Sequence, residues 1–124
     1  MGVGDSLEAP YVLKGPLAAG RWKLVGDGIA LEAADVRYEV IWRNATRDMP
    51  IVQFRHHFDP VQAAPFKAIG YDEEADGVAA AAVAGDQLVL RFSIASTHPA
   101  GTKQWVPNAD GSVKNGRIPS LRLP

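Results

Sequence analysis

The sequence predicts an all-β chain, a two-sheet antiparallel β-sandwich, and three observations predict it. Its 12 glycines and 9 prolines are spread as punctuation between short apolar stretches, the spacing of many short strands rather than of long helices. Three segments alternate apolar and polar residues with a period of two, which on a strand gathers the apolar set on one face. With 124 residues, 47% of them apolar and 22% charged, the chain has an ordinary globular composition and enough length to bury a core without staples. A single domain over residues 1–124 is expected, with 1–9 and 111–124 as loosely ordered tails.

Strands are expected at 11–14, 21–25, 29–32, 36–43, 51–58, 66–71, 78–83, 87–95 and 104–106. Gly26-Asp27-Gly28 and Gly85-Asp86 read as turns, because glycine reaches positive φ without a Cβ clash. In 36–43 the residues Val36, Tyr38, Val40 and Trp42 share one face; in 51–58 Val52, Phe54, His56 and Phe58 do; in 87–95 Leu88, Leu90, Phe92 and Ile94 do. These twelve, with Trp22, Leu24 and Ile29, are the expected core. One apolar face per strand is the pattern of antiparallel sheets covering a core. The strands at 36–43 and 51–58 read as a hairpin around 44–50, with Trp42 opposite Val52, Val40 opposite Phe54 and Tyr38 opposite His56. That register sets Glu39 across from Arg55 as an opposite-charge pair, and Arg37 near His57. Residues 78–83 are alanine-rich, but they are short and flanked by turn pairs, so they read as a strand lying under a neighbour.

The stretch Ala84-Gly85-Asp86-Gln87-Leu88-Val89-Leu90-Arg91-Phe92 and the opening Gly20-Arg21-Trp22 resemble the turn-and-strand units of bacterial jelly-roll and galactose-binding-like modules. The resemblance implies a jelly-roll-like sandwich and an accessory role in carbohydrate binding or adhesion. It implies no particular ligand residue, since function resides in sites rather than in folds.

Several function classes are disfavoured. With no cysteine there is no disulfide, thiolate nucleophile or zinc–sulfur site. A net charge of −1 without a basic run argues against nucleic acid, and a basic amphipathic helix for membrane surfaces is missing. The apolar run 78–84 is too short to span a bilayer. Residues 1–10 carry neither a basic n-region nor an apolar h-region, so a soluble chain is expected, with its compartment open. There is no G-x-S-x-G elbow and no phosphate-binding glycine loop.

The candidate ligand-binding residues are Trp105, Tyr71, Arg37, Arg55 and His57. Trp105 in an irregular tail and Tyr71 beside an acidic loop are the expected exposed aromatics for stacking on a sugar, while Arg37, Arg43, Gln53, Arg55 and His57 share a polar sheet face. An ordinary solvated face is the competing reading. His57 and Asp59 share that face as weak metal candidates without a third ligand, and His56 is expected in the core, hydrogen-bonded to backbone. Asp72, Glu74 and Asp76 are expected in a loop that offers oxygen ligands to calcium, with Asn108-Ala109-Asp110-Gly111-Ser112 a fainter echo. Asn44-Ala45-Thr46 matches a glycosylation acceptor. No cofactor is expected, with calcium the one named exception.

The reading placed first is therefore a non-catalytic binding or adhesion module whose partner is a glycan or another protein. The second is a structural subunit that forms a homo-oligomer through its sheet edges. The third is a small metalloprotein or enzyme centred on His57 and Asp59.

Overall fold

The computed structural model describes residues 6–30, 33–59, 69–98, 105–106 and 120–124, with side chains for all of these except 27–30, 69, 96–98 and 105–106. Its strands are β1 (Ser6–Val12), β2 (Gly20–Ala30), β3 (Ala33–Arg43), β4 (Asp48–Phe58), β5 (Ile69–Gly77), β6 (Gln87–His98), β7 (Trp105–Val106) and β8 (Ser120–Arg122). Among the described residues there is no helix. The first sheet runs β1-β6-β3-β4; in the second, β2 has β5 on one side and β7 and β8 on the other. All of these pairings are antiparallel. β3 and β4 form a hairpin, and the pairs β2·β5 and β1·β6 nest outside it in sequence, on alternate sheets.

The core lies between the sheets of this sandwich-like fold. Val36, Tyr38, Val40, Val52, Phe54, Phe58, Leu88, Leu90, Phe92 and Ile94 from the first sheet meet Trp22, Leu24 and Tyr71 from the second. The alternation in 36–43, 51–58 and 87–95 thus assigned the faces correctly. Trp42 is half-buried at the margin, where its Nε1 donates to Asp86 Oδ2 at 2.9 Å.

Several expectations are corrected. Gly26-Asp27-Gly28 does not turn the chain: it continues β2 and pairs with 69–71 of β5. Residues 78–83 form no strand; they hold one isolated bridge, Leu17 with Ala80, and end in a turn in which the Asp86 amide donates to the Val83 carbonyl at 3.1 Å. Gly85 in that turn has φ +97°, a region costly for a residue with a Cβ. The expected strand at 66–71 is described from Ile69 and runs on past Tyr71 to Gly77, so the acidic segment is strand, not loop. Residues 31–32, 66–68, 104 and 107–119 lie outside the described set, including the 108–112 calcium echo.

The hairpin register also differs. Val40 faces Val52, Tyr38 faces Phe54 and Val36 faces His56, a shift of two residues that keeps every face and changes every partner. The cause is a shorter loop. Asn44 Oδ1 accepts from the Thr46 amide (2.9 Å), the Thr46 hydroxyl (2.7 Å) and the Arg47 amide (3.0 Å), and the Asn44 amide donates to the Arg47 carbonyl. This side-chain-built turn starts β4 at Asp48, and a bulge absorbs Ile51 between the Val40–Val52 and Ile41–Pro50 pairs.

Candidate functional site

Side chains alternate faces along each strand, so the pairing register writes the outer face of the first sheet as rows across its strands. The rows are Val12–Gln87–Arg43–Asp48, then Pro10–Val89–Ile41–Pro50, then Glu8–Arg91–Glu39–Gln53, then Ser6–Ser93–Arg37–Arg55. Beyond them Asp35 pairs with His57.

A ring of four charges holds the first three rows. Arg91 binds Glu8 through Nε at 2.8 Å and Nη2 at 2.7 Å, and Arg43 binds Asp48 through Nε at 2.8 Å and Nη2 at 2.9 Å. Arg43 also reaches Glu8 at 3.2 Å, and Arg91 lies 3.7 Å from Asp48. Arg43 stands in the first row and Glu8 in the third, so their contact crosses the second. There Val89 is 0% and Ile41 4% exposed, although both belong to the outer face. Long arginine stems can cover apolar surface while their charged heads stay paired, and the heads of Arg43 and Arg91 are paired here. Hydrogen bonds from Arg43 hold the carboxyls of Glu8 and Asp48 below their ordinary values, and those carboxylates raise the Arg43 guanidinium in turn.

The far end of the face is paired as well. His57 Nδ1 lies 2.8 Å from Asp35 Oδ1, and Nε2 lies 3.4 Å from Asp59 Oδ1. The Asp35 hydrogen bond raises the His57 pKa above its ordinary value. Asp35, rather than the expected Arg37, is thus the residue opposite His57. Among the described residues no three metal-ligating side chains converge.

Between these paired regions stand Arg37 and Arg55, directly opposite each other. The expected Glu39–Arg55 pair does not form across the strands, because the two-residue shift puts Gln53 opposite Glu39. Arg55 is exposed and Arg37 half-buried, and neither makes an ion pair with a described residue. Arg37 Nε is shielded from solvent with no hydrogen-bond partner among the described residues. Like charges directly opposite are destabilising, and an unsatisfied shielded donor costs about 1–3 kcal/mol.

The other candidates fall elsewhere. Tyr71, expected to be exposed, is 7% exposed: it projects inward from β5, and its hydroxyl donates to that of Tyr38 at 2.5 Å. Trp105 pairs through its backbone with Ala30, and its side chain lies outside the described set. Asp72, Glu74 and Asp76 line the outer face of the second sheet, each with a cation beside it. Arg21 lies 3.3 Å from Asp76 and 3.7 Å from Glu74, and Lys23 lies 3.6 Å from Asp72. Their strand geometry replaces the loop that the calcium reading required.

Two features had no signal in the sequence. The charge ring depends on β1 lying beside β6, a pairing of residues far apart in the chain. The partner of His56 is not backbone but Glu73: Nδ1 lies 2.7 Å from Glu73 Oε1, and the ring stacks on Tyr71 at 4.7 Å and meets the edge of Phe58 at 4.8 Å. Burial in this cluster pushes the Tyr38 phenol up. No protein-family model, no curated protein and no solved structure matches the chain.

Proposed function

We propose that the chain is a non-catalytic binding module of jelly-roll type that receives its ligand on the outer face of the first sheet, around Arg37, Arg55 and His57. The nested pairs β3·β4, β2·β5 and β1·β6, distributed over alternate sheets, support the jelly-roll reading, because that fold is a hairpin rolled so that successive pairs fall on opposite sheets. One observation carries the function: Arg37 and Arg55 are directly opposed and make no ion pair with a described residue, whereas Arg43, Arg91 and His57 on the same face are each paired with a carboxylate. Groups kept at a cost to the fold are characteristic of functional sites.

The test is to probe arrays of glycans and peptides with the labelled protein, then map the best binder by amide chemical shifts. The expected shifts centre on Arg37, Arg55, Ser93 and His57. Shifts centred on Arg21, Lys23 and Glu74 would contradict the assignment.

Self-association is the second reading, favoured by one observation. β1 borders the first sheet and exposes Leu7 (46%), Tyr11 (47%) and Val12 (71%), an apolar edge suited to a second copy. Its mark would be a concentration-dependent mass in light scattering, abolished by Tyr11→Lys.

A further inference from the structure

Arg37 and Arg55 lie in the row Ser6–Ser93–Arg37–Arg55, where two guanidinium groups and two hydroxyl-bearing side chains share one face and no carboxylate is present. The adjacent rows contain carboxylates on both sides, Glu39 on one and Asp35 on the other. Asp35 is engaged by His57 at 2.8 Å.

We infer that Arg37 and Arg55 form a subsite for a single oxyanion, a carboxylate or sulfate-type group carried by an otherwise neutral ligand such as an acidic saccharide. The inference rests on the proposed binding role of this face and adds the chemical class of what it binds. Three features point to this class. Guanidinium forks are the side chains best matched to planar or tetrahedral oxyanions, which accept two N–H bonds at once. Opposed on neighbouring strands with Cβ atoms about 5 Å apart, the forks can close on one oxygen-bearing group. That group supplies the close counter-charge that the two arginines lack, since neither makes an ion pair with a described residue. The bounding carboxylates set the size. A polyanion lying along the face would run into Glu39 or Asp35, whereas one isolated anionic group fits between them. Ser93, half-buried beside Arg37, offers a hydroxyl to a neighbouring oxygen. The arrangement is a positive island, not a positive stripe, and so excludes nucleic-acid backbones by the same charges that admit a monoanion.

The experiment is a titration of the full chain with sodium sulfate and with sodium acetate, at ionic strength held constant by sodium chloride, followed on the arginine Nε–H resonances. The expected result is saturable movement of the Arg37 and Arg55 signals. Arg55→Ala should weaken that saturation about tenfold or more, the usual worth of a charge-assisted hydrogen bond, while leaving the amide spectrum folded. Arg55→Lys, which keeps the charge and loses the fork, should weaken it by an intermediate factor. Movement that is linear in salt and equal in the wild type and Arg55→Ala overturns the inference. If both anions leave the arginines unmoved while a neutral array ligand still shifts this face, the oxyanion class is wrong and the binding role stands. If neither moves it, both fall.

Discussion

Gly77 lies against the indole of Trp22: a Cβ at position 77 would stand 2.4 Å from Nε1, 2.6 Å from Cδ1 and 3.3 Å from the Cβ of Val52. Trp22 is 0% exposed, so it has no free side to move toward. Gly77→Ala is therefore expected to destabilise the chain by about 1–3 kcal/mol through overpacking, read as a lower urea midpoint with an unchanged slope. An unaltered midpoint would show that Trp22 has room to shift.

The charge ring over Val89 makes an acid-limb prediction. Glu8 and Asp48 have folded pKa values lowered by Arg43. Such groups contribute stability that is present above their unfolded values of 4.5 and 3.8 and is lost as pH falls through the folded values. The wild type should lose stability as pH drops below about 4.5, and Arg43→Ala should show a shallower loss over the same window. Urea midpoints measured from neutral to acid pH check this. Parallel acid limbs would mean the ring does not couple to folding.

His57 makes the opposite sign. Its pKa is raised, chiefly by Asp35, so its contribution is fully present below the unfolded value of 6.5 and is lost as pH rises through the higher folded value. Titration of the imidazole ring protons should give a midpoint above 6.5 in the wild type and a lower one in Asp35→Asn. A midpoint indifferent to Asp35→Asn would break the assignment.

The pair of buried phenols offers a conservative deletion. Tyr71→Phe removes the donor to the Tyr38 hydroxyl while keeping the ring that stacks on His56. The expected loss is about 1 kcal/mol, and near-ultraviolet circular dichroism should show the aromatic cluster still ordered. A neutral substitution would mean the Tyr38 hydroxyl is satisfied without Tyr71.

Period-two alternation settled which side of β3, β4 and β6 is buried, since a shift of one residue would bury Arg37 and Arg55. It could not settle a shift of two, which leaves the faces intact. That shift decided whether Arg55 met Glu39 or Arg37, and it was set by three hydrogen bonds to a single Asn44 oxygen. The acidic segment of β5 read as loop because its charges outweighed its alternation, yet Tyr71, Glu73 and Ala75 point inward between Asp72, Glu74 and Asp76. The glycines at 26 and 28 misled in the other direction: glycine permits a turn without requiring one. Long-range pairings such as Glu8 with Arg91 leave no local trace at all.

The measurement that bears most directly on the binding role is the urea midpoint of Arg55→Glu against the wild type, at low salt and without ligand. If Arg37 and Arg55, directly opposite each other, repel in the free protein and are kept for a partner, their like charges cost stability that a substitution can recover. Arg55→Glu should then stabilise the fold, by about 0.2–1 kcal/mol for an opposite-charge cross-strand pair. A destabilised variant would mean that Arg55 already serves the fold, and that the opposed arginines are not held in wait for a ligand.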